Sequence, residues 1–154
     1  MGTEISRIRA MIKYNWEGPM WYGGNFSAVL AGITKDKAFQ KPTAGSHNIY
    51  ELVAHMQCWR KFVLEHLKGN TEYSVEINSE LDWPHQYEHT EAAWYGITAD
   101  LEGSQKELLD LLANFEDSKL AELVPGKKFN WYVFLHGVLH HDIYHSAQIS
   151  ILKK

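Results

Sequence analysis

Cysteine is all but absent from this chain. The single Cys58 in 154 residues excludes an intramolecular disulfide and any four-cysteine zinc site built within the chain. No uninterrupted apolar run approaches the ~18 residues of a membrane-spanning helix. Met1 to Arg9 is charged rather than shaped like an export signal, so a cytoplasmic protein without a membrane partner is expected. Charge of one sign never accumulates: 15 basic and 19 acidic residues are dispersed, for a formal net charge of -4. Phosphate binding needs a clustered basic face, which argues against nucleic acid as a partner. What is plentiful is apolar and aromatic material, 45% hydrophobic with six Trp and eight Tyr, enough for one core in one domain over residues 1–154. Nine histidines also exceed ordinary usage. With one cysteine, any metal site must draw on His, Asp or Glu.

Apolar spacing predicts an all-α chain of four helices and no strand. Thr3 caps a first helix carrying Ile5, Ile8, Ile12 and Trp16, which Gly18 and Pro19 end. Asn25 starts a short continuation through Phe26, Val29, Leu30 and Ile33, and a polar connector, read as surface loop, then runs to Pro42 and Gly45. Ser46 opens a long second helix through Ile49, Leu52, Val53, Met56, Trp59, Val63 and Leu67, with Gly69 and Asn70 as its stop. Asn70 to Thr90 contains the turn-like Asp82-Trp83-Pro84 and reads as an ordered crossover, of a length that is often functional. Thr90 and Glu91 start a third helix through Trp94, Ile97, Leu101, Leu108, Leu112 and Phe115, with one more turn at Ser118 to Leu123. Asn130 caps a last helix that closes with Lys153 and Lys154 at its negative dipole end.

Two histidines four residues apart on a helix project side by side, at a separation one ion can bridge. That spacing occurs three times, at His85/His89, His136/His140 and His141/His145. The first pair follows Pro84 and precedes the cap at Thr90, so no helix holds its rings on one face. On a wheel of about 100° per residue centred on Val138, His145 lies about 20° and His141 about 60° away, on the stripe of Trp131, Phe134, Leu135, Ile149 and Leu152. His136 and His140 point nearly opposite, towards solvent or another subunit. A third ligand should come from a facing helix, and His55, roughly 80° from the centre of the second helix's apolar face, is the best placed. His66 is nearer that face but too far along the bundle, and His47 sits at the helix start, where capping or surface exposure is the simpler role. Three neutral imidazoles leave coordination positions open, as in a catalytic rather than a closed structural site. A histidine that is only a hydrogen-bonded core residue stands as the plainer alternative. Asp142, about 40° from the stripe centre, is a candidate to orient a ligand ring or to form an ion pair with a neighbouring helix. Glu51, one turn before His55, is a second such candidate. Cys58 reads as inert packing, with thiolate ligation left open by its place three residues after His55.

Leu135 to Lys153, reading LHGVLHHDIYHSAQISILK, resembles the last helix of the DinB/YfiT-like family of metal-dependent four-helix-bundle proteins, with its H-x-x-x-H pair followed by a small residue and Gln148. Trp16-Glu17-Gly18-Pro19 and the segment from Ser46 through Glu51-Leu52-Val53-Ala54-His55 to Trp59-Arg60 are similar to other parts of that family, in the same order. Ala147 stands where the family usually has Gly, and His140 where a Gln is frequent. The resemblance implies His55, His141 and His145 as metal ligands, the same three as the wheel. It also implies an up-down-down-up four-helix bundle with the long crossover between helices two and three, zinc or nickel as the ion, and frequent homodimers. Val133, Ile143 and Ile151, outside the core stripe of the last helix, would suit burial against a second subunit.

Some members of that family are transferases or isomerases in which a small thiol binds the metal and attacks an electrophile. The expected function is therefore that of a divalent-metal enzyme activating a low-molecular-weight thiol, or, as a hydrolase, a water, on a small-molecule substrate. No protein nucleophile is expected. The alternative is a dimeric helical stress-response or binding protein whose metal site is structural or empty.

Overall fold

Six α-helices each begin on a Thr or Asn whose side-chain oxygen accepts a backbone N–H of the first turn, satisfying one of the donors that a helix start leaves free. In a computed structural model, which describes residues 2–154, they are α1 (Glu4–Glu17), α2 (Phe26–Leu30), α3 (Lys35–Phe39), α4 (Ile49–Leu67), α5 (Glu91–Ala113) and α6 (Trp131–Leu152). A 3-10 turn at Asp117–Ala121 joins α5 to α6. Four helices are long, and α1, α4, α5 and α6 pack as a bundle in which α1 and α4 each touch both α5 and α6. No strand is present among the described residues, only an isolated bridge between Leu123 and Asn130.

The expected caps at Thr3, Asn25, Thr90 and Asn130 are all in place. The long second helix starts later than its sequence suggests. Asn48, not Ser46, caps α4, in a reciprocal box where Glu51 also accepts the Asn48 backbone N–H. Ser46 instead bonds Thr43 in the preceding turn. The helix ends as expected at Gly69, whose φ of 88° lets Asn70 N–H reach Glu65 O and Gly69 N–H reach His66 O. The connector before Pro42 is not wholly surface loop: it contains α3, capped by Thr34, with Ala38 and Phe39 buried. Five residues are too few to show a helical period, so only the Thr34 cap and Asp36 in the first turn marked it. Lys153 serves a helix other than its own, donating from Nζ to the carbonyls of Ala28, Val29 and Ala31 at the end of α2.

Two apolar clusters fill the bundle. One gathers Ile5, Ile8, Phe62, Leu108, Leu112 and Phe134; the other gathers Phe26, Phe39, Met56, Trp94, Leu101 and Ile149. Burial of one such side chain is worth about 1.5–3 kcal/mol, so each cluster is a substantial stabilising unit. Between them, on every long helix, the buried residues turn polar: Asn15, Arg60, Ser104, Gln105, Asp142 and Ser146. Arg60 donates to Asp142 from Nε at 3.2 Å and from Nη2 at 2.6 Å, with the two residues 2% and 1% exposed. The guanidinium also lies 5.3 Å from the Trp16 ring centroid. Burial raises the Asp142 carboxyl above its usual range, an effect that the Arg60 charge and hydrogen bonds oppose.

A buried charge left without its partner costs about 3–5 kcal/mol. Asp142→Asn should therefore lower unfolding stability in urea by about that amount, and Arg60→Met with Asp142→Leu should recover most of it. An Asp142→Asn variant within about 1 kcal/mol of wild type would show that the pair does not hold the layer together.

Candidate metal centre

His55 projects from the middle of α4, and His141 and His145 project one turn apart from α6. α4 and α6 run in opposite senses, since Phe62 and His66 meet Phe134 at one end while His55 meets His145 at the other. One ring nitrogen of each of the three histidines lies within 4.8 Å of the others, and His55 Nε2 is 3.0 Å from His141 Nε2. His55 and His145 are buried and His141 partly so. Burial, the largest cause, takes His141 down to about 3, with the neighbouring imidazoles His145 and His55 adding to it. It takes His145 down to about 4 against the raising effect of its Gln148 bond. His55 is lowered as well, by burial that outweighs the nearby Asp82 carboxylate. All three rings are thus neutral at pH 7, the protonation state in which an imidazole offers a lone pair.

Two of the rings have their proton placed by an oxygen acceptor. His55 Nδ1 donates to the Asp82 backbone carbonyl at 3.2 Å, with the Asp82 carboxylate Oδ1 2.8 Å away, and His145 Nδ1 donates to Gln148 Oε1 at 2.6 Å, so each turns an unprotonated Nε2 away from its acceptor. Asp82 is itself fixed, with Trp59 Nε1 donating to Oδ1 at 2.8 Å and the Asn78 backbone N–H to Oδ2 at 2.8 Å. Asn78 adopts the left-handed conformation, φ 63°, that Asn tolerates best after glycine. Next in the chain, Trp83 stacks on His55 with centroids 3.8 Å apart and planes 9° apart, and on His47 at 3.8 Å and 15°.

The cluster fits a metal ion on its own chemistry. Two ring nitrogens 3.0 Å apart repel unless a proton or a cation lies between them. Nitrogens each about 2.0–2.1 Å from a tetrahedral ion sit about 3.3 Å from one another, within a small ring rotation of what is found. The Nδ1 atom of His141 is buried with no hydrogen-bond partner, so only the contact with His55 Nε2 acts on the tautomer of this ring, favouring Nε2–H until a cation takes the place of that proton.

The structure brings His55, His141 and His145 together and assigns the other candidates elsewhere. Asp142 bonds Arg60 rather than a ring of the cluster. Glu51 is buried in the α4 cap, where it accepts from Tyr87 Oη at 2.5 Å and pairs with Lys41 at 2.8 Å and His47 at 3.2 Å. Cys58 is buried, and desolvation pushes its thiol up to about 11, which is the profile of an inert packing residue. His66 is buried beside Phe62 and Phe134 at the opposite apolar cluster. His85 and His89 lie in non-helical chain, and on the outer side of α6 His140 is exposed and His136 half-buried. Sequence reasoning missed Asp82 and Trp83, which were legible only as a turn. The part played by Gln148 was within reach, because a residue three positions after His145 shares its helix face.

Fold and site together define an all-helical bundle protein with an interior three-histidine cluster, a donor set compatible with metal binding. A family model described as the DinB superfamily matches residues 23–149, and the chain belongs to that superfamily. No curated protein and no solved structure matches the chain. No helix among the described residues is long and apolar enough to cross a membrane.

The tautomers are directly measurable. In metal-free protein at pH 7, nitrogen-15 correlation spectra should show His55 and His145 protonated on Nδ1, and Gln148→Ala should release His145 into a mixture of tautomers, whereas Asp82→Ala, which keeps the backbone carbonyl, should leave His55 protonated on Nδ1. Predominant Nε2–H on His55 in the wild-type protein would refute the role given to Asp82.

Proposed function

We propose that His55, His141 and His145 hold one divalent transition-metal ion, zinc or nickel, and that the protein is a metal-dependent enzyme of transferase, isomerase or hydrolase type acting on a small molecule. The observation that carries this reading is the convergence of three neutral imidazole nitrogens from two helices within 4.8 Å. An ion held there would favour the deprotonated form of a small thiol or of water at neutral pH, supplying a nucleophile. The chain's own groups bind and orient. Asp82 and Gln148 keep the Nδ1 protons of two rings on the far side of the centre, and the Trp83 ring covers one face of His55 and restricts its rotation. With the three imidazole lone pairs committed to the ion, and Cys58 buried with its thiol pushed up to about 11, the nucleophile comes from outside the chain.

The two apolar clusters close on either side of the polar layer through their own contacts, and within the layer the Arg60 and Asp142 charges pair with each other. This favours an ion used for chemistry over one needed to hold the fold together. Untagged protein stripped of metal should therefore keep its melting transition to within a few degrees while losing thiol conjugation of a panel of electrophiles. Loss of the cooperative melt, with no activity in either form, would instead make the ion structural. Titration with cobalt(II) should saturate at one ion per chain. His141→Ala or His145→Ala should abolish it, and Gln148→Ala should weaken it by about 10–100-fold, the usual effect of removing the partner of a ligand ring. Unchanged cobalt affinity in the double variant His141→Ala/His145→Ala would place the ion elsewhere.

A further inference from the structure

A cleft of about 470 Å³ opens directly against the histidine cluster, with His145 and Gln148 forming part of its wall. That volume is within the range of about 300–1,000 Å³ that small-molecule sites occupy. Its remaining wall is largely hydrocarbon and aromatic: Leu52 from α4, Trp83 from the crossover, and Tyr144, Ile151 and Leu152 from α6. No Asp, Glu, Lys or Arg lines it. A larger cleft of about 690 Å³ lies between Trp16 and Tyr95 and touches none of the nine histidines; its wall includes Glu17 and Glu102. The two cavities therefore differ in kind, and the one that reaches the cluster is the one without a carboxylate, its other polar wall residues being Ser46 and His47.

We propose that the cleft beside His145 is the substrate site of the cluster and selects the uncharged, aromatic or branched apolar part of the substrate. The proposal rests on the metal-site reading above. A charged group entering the metal-free cleft would leave water for a wall whose only ionisable side chains besides tyrosine are His145 and His47, the latter already bonded to Glu51 at 3.2 Å, which is unfavourable, whereas an aromatic face gains contact with Trp83 and Tyr144 and loses only unfavourable hydration. His145 and Gln148 are the polar groups at the wall next to the cluster, so the reacting end of the substrate points to them and its apolar end lies along Ile151 and Leu152. Ile151 is 71% exposed, so it can be changed without disturbing the core.

The test uses two fluorescent probes with one anilinonaphthalene frame: N-phenyl-1-naphthylamine, which is uncharged, and 8-anilino-1-naphthalenesulfonate, which carries a sulfonate. In metal-free full chain the neutral probe should bind once per chain, at least about tenfold more tightly than the sulfonate, because only the latter must strip a charge of water. Ile151→Glu should weaken the neutral probe by about fivefold or more, and Ile151→Leu should restore wild-type binding. Tyr95→Glu, in the other cleft, should change nothing. In the metal-loaded protein, replacing zinc by cobalt(II) should quench the bound probe, reporting that it sits beside the ion. Equal affinity for the two probes, indifference to Ile151→Glu or sensitivity to Tyr95→Glu overturns the proposal. The cobalt absorption band separates its failure from that of the metal reading. A band with no probe binding overturns the substrate cleft alone. Probe binding that depends on Ile151 in a chain that takes up no cobalt overturns the metal site, and with it the assignment of the cleft to that site.

Discussion

The buried pair of Arg60 and Asp142 is the constraint to which the rest of the bundle answers. Hydrocarbon faces of two helices can slide by a fraction of a turn at modest cost, but a two-point guanidinium–carboxylate contact in a dry interior has one geometry. Because Asp142 lies between His141 and His145, and Arg60 is five residues beyond His55, the register that satisfies the charges is also the register that closes the three rings on one another. The helical continuity of α4 and α6 transmits the position of the pair to the cluster. The polar layer is thus more than an interruption of the core. It sets how far along each other the two metal-facing helices sit.

Much of this was legible in the sequence, for identifiable reasons. The long helices show apolar periodicity over many turns, and all six caps are residues whose side chains compete for backbone N–H groups wherever they occur; of these, Thr3, Asn25, Thr90 and Asn130 were readable one by one. The wheel placed His141 and His145 inward because helix geometry fixes direction without any tertiary knowledge. Lacking that knowledge, it could not distinguish Asp142 as an orienting group from Asp142 as an ion-pair partner, since both roles require the same inward direction. Which one holds depends on the residue opposite, and Arg60 is 82 positions away. Glu51 was ambiguous for a similar reason: its cap role depends on Asn48, and its burial on Tyr87 from the crossover. Asp82 was the least accessible, because non-repetitive chain carries no period from which a direction can be read.

The crossover between α4 and α5 emerges as a structural part of the site rather than a connection past it. Residues 78–83 fold into turns around the Asp82 carboxylate, which receives bonds from a backbone N–H and an indole and lies 2.8 Å from the His55 imidazole, while the Asp82 carbonyl accepts the Nδ1–H of that ring. Trp83 then lies flat on the same imidazole. A helix could supply either contact alone. A short irregular segment supplies both from adjacent residues, because successive side chains need not diverge by a helical angle. The depressed pKa values of the rings follow from this enclosure, since desolvation outweighs the charge of Asp82 at His55.

The second i, i+4 histidine pair has a practical consequence of its own. His136 and His140 sit one turn apart on the outward side of α6, their ring centroids 6.2 Å apart, with His140 open to solvent. Such a pair is the donor arrangement that immobilised-metal resins capture. The protein thus presents, facing away from its interior cluster, a second histidine pair at the spacing such resins take, with His136 Nδ1 bonded to the Tyr132 carbonyl and its Nε2 left for a metal. Adsorption to a nickel column therefore says nothing about the inner site, and bound metal is best counted in a background where His140 has been replaced.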